Sequence, residues 1–193
     1  MNAGWSVRGV SLGVNVCFIK DSISKFAEPQ QYAITIENDV KEKDVIRAIA
    51  DHLDSRGYLI LNRNDGERHE RGPDITAEKN GIRYIIEAKG YPSTLYERTG
   101  PLGKKGEKKR THPATQARHW FSEALFQVIL AKEANPSIKV ALGLPEKKIY
   151  LNFLEQLTDS RRYFEIHTFL LKADGTVAHI LPEDELPKSR YTS

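Results

Sequence analysis

Cysteine is almost missing from this chain of 193 residues. The single one, Cys17, cannot close an internal disulfide and excludes a cysteine-rich zinc site. Such usage suits a reducing cytoplasm, the compartment expected for the protein. Long hydrophobic runs are lacking too. The apolar stretch Val10–Ile19 is interrupted by Gly13 and Asn15, and a membrane-spanning helix needs about twenty apolar residues. No clear small-residue cleavage site follows it, so it reads as a strand or a flexible arm, and no membrane association is expected. There is no Walker phosphate loop, no Gly-x-Gly-x-x-Gly after a strand and no internal repeat, which removes the common nucleotide-binding motifs and solenoids from consideration.

What is present is ordinary in amount and uneven in distribution. Hydrophobic residues make up 39% and charged residues 28%, as expected for one globular domain with a sizeable core. The net charge is only +3, yet residues 91–118 hold seven basic and two acidic residues, a local +5, so the rest of the chain totals −2. This basic excess directly follows the segment richest in chemistry, residues 72–89.

That segment reads Gly72-Pro73-Asp74, then Glu87-Ala88-Lys89 at the far end of a strand-like run, Ile82 to Lys89, with Asn80-Gly81 between the two limbs. Asn-Gly favours a two-residue hairpin turn of the mirror-image type. With that turn Lys79 faces Ile82, Asp74 faces Glu87, and Gly72 faces Lys89. Tyr84, Ile86 and Ala88 share one face, while Arg83, Ile85, Glu87 and Lys89 share the other. Apolar residues on both faces predict an inner strand. Directly opposed side chains have Cβ atoms about 4.5–5.5 Å apart, and like charges there repel. A divalent cation between the carboxylates is the simplest compensation. Each residue alone has a plainer explanation, Asp74 as a turn cap and Glu87 and Lys89 as a solvated strand end; the combination in one register does not.

The flanking pattern is mixed α/β. Val45, Ile46, Ile49, Ala50 and Leu53 recur at helical spacing within a helix at about 38–56, capped by Asn38 or Asp39 and ended by Gly57. A strand at Tyr58–Leu61 and a polar loop at 63–71 precede the hairpin. Residues 90–113 form a long glycine- and lysine-rich segment, of the length that is usually functional or disordered. Then follow a helix, Ala114–Glu133, entered through Pro113, a strand at Ile138–Leu142, a helix at Leu151–Ser160, a strand at Tyr163–Leu171, a hairpin signal at Asp174-Gly175 and a returning strand at Val177–Leu181. Residues 1–34 read as an N-terminal extension, 35–182 as the main domain and 183–193 as a loose tail.

Pro73, Asp74, Glu87 and Lys89 complete the pattern Pro-Asp…Glu-x-Lys, and the chain here resembles the PD-(D/E)xK nucleases. This superfamily has the restriction-endonuclease-like fold and includes restriction endonucleases and Holliday-junction resolvases. The resemblance covers about residues 37 to 145. It implies a mixed central sheet flanked by helices with the site on a β-hairpin, Mg²⁺ as cofactor with Mn²⁺ as a substitute, and hydrolysis of phosphodiester bonds, in DNA first of all, leaving a 5′-phosphate. Asp74 and Glu87 would hold the cation together with the Ala88 carbonyl. Lys89 would orient or help deprotonate the attacking water, its pKa lowered by the metal. The family often adds an acid from the preceding helix; Glu42, on the stripe of Ile46, Ile49 and Leu53, is the candidate for that role and reads equally as an acid favoured at a helix N-terminus. Related chains place the acid where this one has Ile46, and Asp39 is the fallback. Some branches carry a glutamine and an aromatic four apart after the lysine. Gln116 and Trp120 match that spacing, and read equally as a helix-start glutamine and a core tryptophan.

Lys104, Lys105, Lys108, Lys109 and Arg110 are the candidate phosphate contacts, with Arg71, Arg68 and His69 on the other side of the motif. Such a run is also the usual make-up of a solvated loop. His112 and His119 have no metal-ligand spacing. Many relatives act as dimers, and a homodimer is open. Two other function classes stay open as well: a module of the same fold that binds nucleic acid without cutting it, and a hydrolase or transferase of small phosphorylated molecules.

Overall fold

The turn pair Asn80-Gly81 sets the centre of the architecture. In the computed structural model, which describes residues 40–65 and 72–187, both turn residues have positive φ, 53° and 75°. That is the requirement of the mirror-image turn whose twist matches the flanking strands. The turn joins β2 (Ile75–Lys79) to β3 (Ile82–Ala88), and the pairs run from Lys79↔Ile82 to Ile75↔Ile86, the expected register. The proposed division at residue 34 and the readings of Cys17 and Val10–Ile19 lie outside the described residues.

β1 (Leu59–Arg63) pairs with β2 on the outer side, with a bulge between Ile60 and Asn62. On the inner side β3 pairs in parallel with β4 (Lys139–Pro145), and β4 with β5 (Ile166–Leu171). β6 (Val177–Ile180) returns antiparallel through the Asp174-Gly175 turn. The result is one six-stranded mixed sheet in the order β1-β2-β3-β4-β5-β6. β3 is therefore an inner strand, as its two apolar faces predict. Each parallel step needs a helical crossover. α2 (Pro113–Ala134) supplies the first; α3 (Lys148–Gln156) and α4 (Thr158–Tyr163) supply the second.

Two cores result, one on each face of the sheet. α1 (Glu42–Asp54) buries Ile46, Ile49 and Leu53 against Ile75, Ile86 and Phe169. On the opposite face α2 and α3 bury Phe121, Val128, Tyr150 and Leu154 against Val140, Leu142 and Leu170. β5 is buried along its whole length, and β4 in all but its first residue, the pattern of parallel strands covered on both sides. Among the described residues no helix is long and apolar enough to cross a membrane.

The later elements differ from their sequence expectations in three places. The helix predicted at 151–160 starts at Lys148 and is interrupted at Leu157, which leaves the helical region (φ −104°, ψ 16°) and divides α3 from α4. Tyr163 closes α4 and is 82% exposed; Glu165, at φ 52°, turns the chain so that β5 begins only at Ile166. The long segment after β3 is neither helix nor strand, but it is folded on itself: isolated antiparallel bridges join Leu95 to Lys108 and Gly100 to Gly103, one nested in the other. The basic cluster therefore rides on an irregular hairpin. Of the tail, residues 183–187 carry no helix or strand, and 188–193 lie outside the described residues.

Three histidines lie in the α1-side core. His167 Nδ1 and His179 Nε2 are 2.9 Å apart, and His179 stacks on Phe169, which His52 meets edge-on. Burial lowers the pKa values of His52 and His167 to about 4. A depressed folded pKa means that the unfolded chain binds more protons between pH 6.5 and 4, so stability is full above 6.5 and is lost as pH falls toward 4. The urea midpoint should therefore drop between pH 7 and pH 5, and His52→Gln should shrink that drop; equal drops in both proteins would refute the linkage.

Candidate active site

Asp74 sits one residue beyond the last β2–β3 pair, where the ladder would leave the Ala88 N–H without a strand partner on that side. The Asp74 carboxylate takes its place: Oδ2 accepts from Ala88 N at 2.7 Å. This bond pulls Asp74 into the sheet, where it is 9% exposed, and sets it beside Glu87, which points to the α2 face. The two carboxylates act on each other electrostatically. Burial raises both pKa values, and the Asp74 charge pushes Glu87 up further, to about 7. Asp74 already accepts the Ala88 N–H, which favours its charged form, so Glu87 is the member that holds a proton.

Lys89 follows on the same face. Its backbone N–H donates to Gly143 O of β4 at 2.8 Å, and its side chain is 14% exposed. Burial alone would lower its pKa; Glu42, Asp74 and Glu87 outweigh burial and leave it raised. The lysine is therefore charged at neutral pH. Glu42 reaches it from the first turn of α1, with Oε2 3.5 Å from Nζ. The helix acid thus meets the site through Lys89, not through the carboxylate pair. Desolvation raises the Glu42 pKa, partly offset by Lys89, and the Asp74 charge adds to the rise.

Gly90 explains how α1 comes so close. A Cβ there would lie 2.3 Å from Val40 O and 2.6 Å from Glu42 N, closer than real atoms approach. Only glycine lets the start of α1 lie on the end of β3, and the bond from Tyr91 N to Val40 O, 2.7 Å, fastens that contact.

One acid of the site is not evident from sequence. Glu123 of α2 acts electrostatically on Asp74, Lys89 and Glu42 and lines, with Glu87, Pro73, Ile85, Gln127 and Leu130, an open cleft of 630 Å³. α2 carries apolar residues on several sides, with Phe126 and Leu130 exposed and Val128 buried, so no stripe in its sequence tells which face meets the sheet. Only the spacing Gln116, Glu123, Gln127, all on one helical face, hints at it.

The remaining candidates stand further back. Gln116 is half-buried, and its Oε1 has no hydrogen-bond partner among the described residues. Neither Gln116 nor Trp120 bonds to Asp74, Glu87, Lys89 or Glu42. Lys104, Lys105, Lys108 and Arg110 are exposed and Lys109 is half-buried, all on the irregular hairpin that leaves the Lys89 end of β3. The Lys41–Glu97 pair, 3.9 Å, links that hairpin to the start of α1. His112 caps α2 by accepting from Ala114 N at 3.2 Å. Arg71, Arg68, His69 and Asp39 lie outside the described residues.

Four acids and one lysine leave the site with excess negative charge. Among the described residues no set of three or more His, Cys, Asp or Glu side chains converges to enclose a metal. The donors that do converge, Asp74 and Glu87, offer only oxygen. A pair of carboxylates fits Mg²⁺, which keeps several of its waters and is usually held by one or two carboxylates.

Six mixed strands, helices on both faces and acids at the mouth of the β2–β3 hairpin are consistent with a restriction-endonuclease-like core. No protein-family model matches the chain, and no curated protein matches it. Among solved structures it is similar to an XisH family protein from Nostoc punctiforme PCC 73102, with 17% sequence identity and a TM-score of 0.40, over 72% of this chain and 98% of that one. Likeness at that level carries no conclusion about activity.

The Glu87 proton has a measurable consequence. Its folded pKa, about 7, lies above the ordinary 4.5, so its stabilising contribution is present below pH 4.5 and is lost as pH rises through 7. In divalent-free buffer at pH 8, Glu87→Gln should have a higher urea midpoint than the wild type, and the gain should vanish at pH 4. Millimolar MgCl₂ should raise the wild-type midpoint at pH 8 and leave that of Glu87→Gln nearly unmoved. A gain that persists at pH 4 would refute the assignment.

Proposed function

We propose that this protein is a nuclease that hydrolyses phosphodiester bonds with the help of Mg²⁺, for which Mn²⁺ substitutes, and that its substrate is DNA. The observation that carries this reading is the convergence of Asp74, Glu87 and Lys89 at the end of one hairpin, with Glu42 behind the lysine and an open cleft in front.

Asp74 and Glu87 would hold the cation, with the Ala88 carbonyl as a further oxygen. When bound, the cation stabilises charge on the phosphate and lowers the pKa of a water. Glu87 must give up its proton to bind, so loading is favoured as pH rises through 7. Lys89 would meet a phosphate oxygen and orient or help deprotonate the attacking water, a bound cation lowering its pKa. Glu42 holds the lysine through the 3.5 Å pair. The exposed cations Lys104, Lys105, Lys108 and Arg110, with Lys109, would draw in the phosphate backbone, and Arg71 and Gln116 would add contacts. Recognition of phosphate by point charges is blind to sequence, so base specificity would have to come from the loops around the cleft.

The decisive test is a panel of linear, nicked, branched and single-stranded DNA incubated with Mg²⁺, with products mapped to single nucleotides. Asp74→Ala, Glu87→Ala and Lys89→Ala should each reduce cutting by roughly 10²-fold or more with circular dichroism unchanged. Undiminished cutting by all three variants would overturn the proposal, and tight binding without turnover on every substrate would move the protein to a non-cutting nucleic-acid-binding module. Replacing Lys104, Lys105 and Lys108 by Ala should flatten the salt dependence of binding, by roughly 0.7–0.9 in log–log slope for each phosphate no longer neutralised.

A further inference from the structure

Immediately after Lys89 the chain is gripped from a helix that supplies nothing to the site. Tyr150 of α3 is fully buried, and its hydroxyl donates to the Gly90 carbonyl at 2.7 Å. Its ring lies stacked at 26° on Phe121 of α2 and edge-on to Tyr91, and the Lys147 ammonium sits 5.6 Å from the centre of the Tyr91 ring. A phenylalanine would satisfy that packing equally well. What tyrosine adds is a polar group that must find a partner when buried, and the partner it finds is the carbonyl next to the lysine.

The position of that carbonyl matters. Residues 88–91 pass between two walls. The first is the sheet, where Ala88 N is held by Asp74 at the β2 edge of the strand and Lys89 N by Gly143 at the opposite, β4 edge. At the other, Gly90 lies under the backbone of Val40 and Glu42, and Tyr91 N is bonded to Val40 O. The Gly90 carbonyl is the hinge between them. Among the described residues no strand neighbour donates to it, and glycine has the widest range of backbone conformations of any residue. The Gly90–Tyr91 peptide is held at its N–H by Val40 and at its carbonyl by Tyr150, and without the second bond only the first keeps the start of α1, and with it Glu42, against Lys89.

We propose that Tyr150 is a positioning residue of the site: through its hydrogen bond to Gly90 it locks the end of β3 against the start of α1, and so sets the Glu42–Lys89 pair. α3 thereby joins the catalytic apparatus without touching substrate. The proposal rests on the nuclease reading for its effect on catalysis, but not for its effect on structure, and the two are measured separately.

Tyr150→Phe keeps the ring and removes the bond. In the full-length protein, amide hydrogen exchange at Lys89 and Tyr91 should quicken by about tenfold, the factor for 1.4 kcal/mol and well within the range of one buried hydrogen bond, while amides in the middle of β4 and β5 keep their protection. In cleavage assays with Mg²⁺, kcat should fall by a similar factor with KM little changed. The double variant Tyr150→Phe with Glu42→Gln should lose no more than the worse single variant, because both act through one pair. Unchanged exchange at Lys89 and Tyr91 would overturn the proposal. So would multiplying losses in the double variant, or loss of protection spread evenly over β4 and β5, which marks general destabilisation. If the wild type cuts no DNA, the nuclease reading fails and the exchange measurement still decides the role of Tyr150.

Discussion

The bond from the Ala88 N–H to the Asp74 carboxylate is the constraint on which the site depends. A backbone donor at the end of an inner strand cannot be left unpaired once buried, and here the last hairpin pair, Ile75↔Ile86, stops two residues short of satisfying it. A carboxylate fills the gap. In doing so it is drawn out of water and set against Glu87, the residue directly before the donor. Much of the electrostatics follows. Burial and the Asp74 charge let Glu87 keep a proton to about pH 7, and a lysine on the same face is held charged. The arrangement is costly for a structural element, and under the proposed function it would exchange a proton for a cation.

Around this centre the sheet separates two duties. Its α1 face is closed by a continuous core from Ile46 to Phe169, which fixes where the first helix begins. Its other face is covered by α2 over the inner strands only, leaving a cleft between α2 and the hairpin that carries the acids. The site lies where the open part of the second face meets the strand end reached by α1. Gly90 and Tyr150 make this crossing possible, the first by having no side chain and the second by supplying a donor to the Gly90 carbonyl.

Much of this was legible in the chain. Asn80-Gly81 set the register, the alternation along β3 told which residues share a face, and the helical stripe of α1 named its buried side. The elements after α2 were less legible: the interruption at Leu157 and the turn at Glu165 come from individual backbone angles that no periodicity announces. The folding of the basic segment into nested bridges was hidden for a similar reason, since glycines and lysines are compatible with many loop conformations. Glu123 was hidden because α2 is apolar on more than one side.

The sequence by itself determined the hairpin, the inner position of β3 and the meeting of Asp74, Glu87 and Lys89. These depend on turn chemistry and a two-residue alternation, which act between close neighbours in the chain. Only the tertiary structure decided that Glu42 touches the lysine and not the carboxylates, that Glu123 faces the same cleft, and that Tyr150 reaches Gly90 across sixty positions of sequence. Those contacts depend on how closely whole helices approach the sheet. That distance is set by side-chain volumes packed in three dimensions, and by one glycine whose missing Cβ admits a neighbouring backbone.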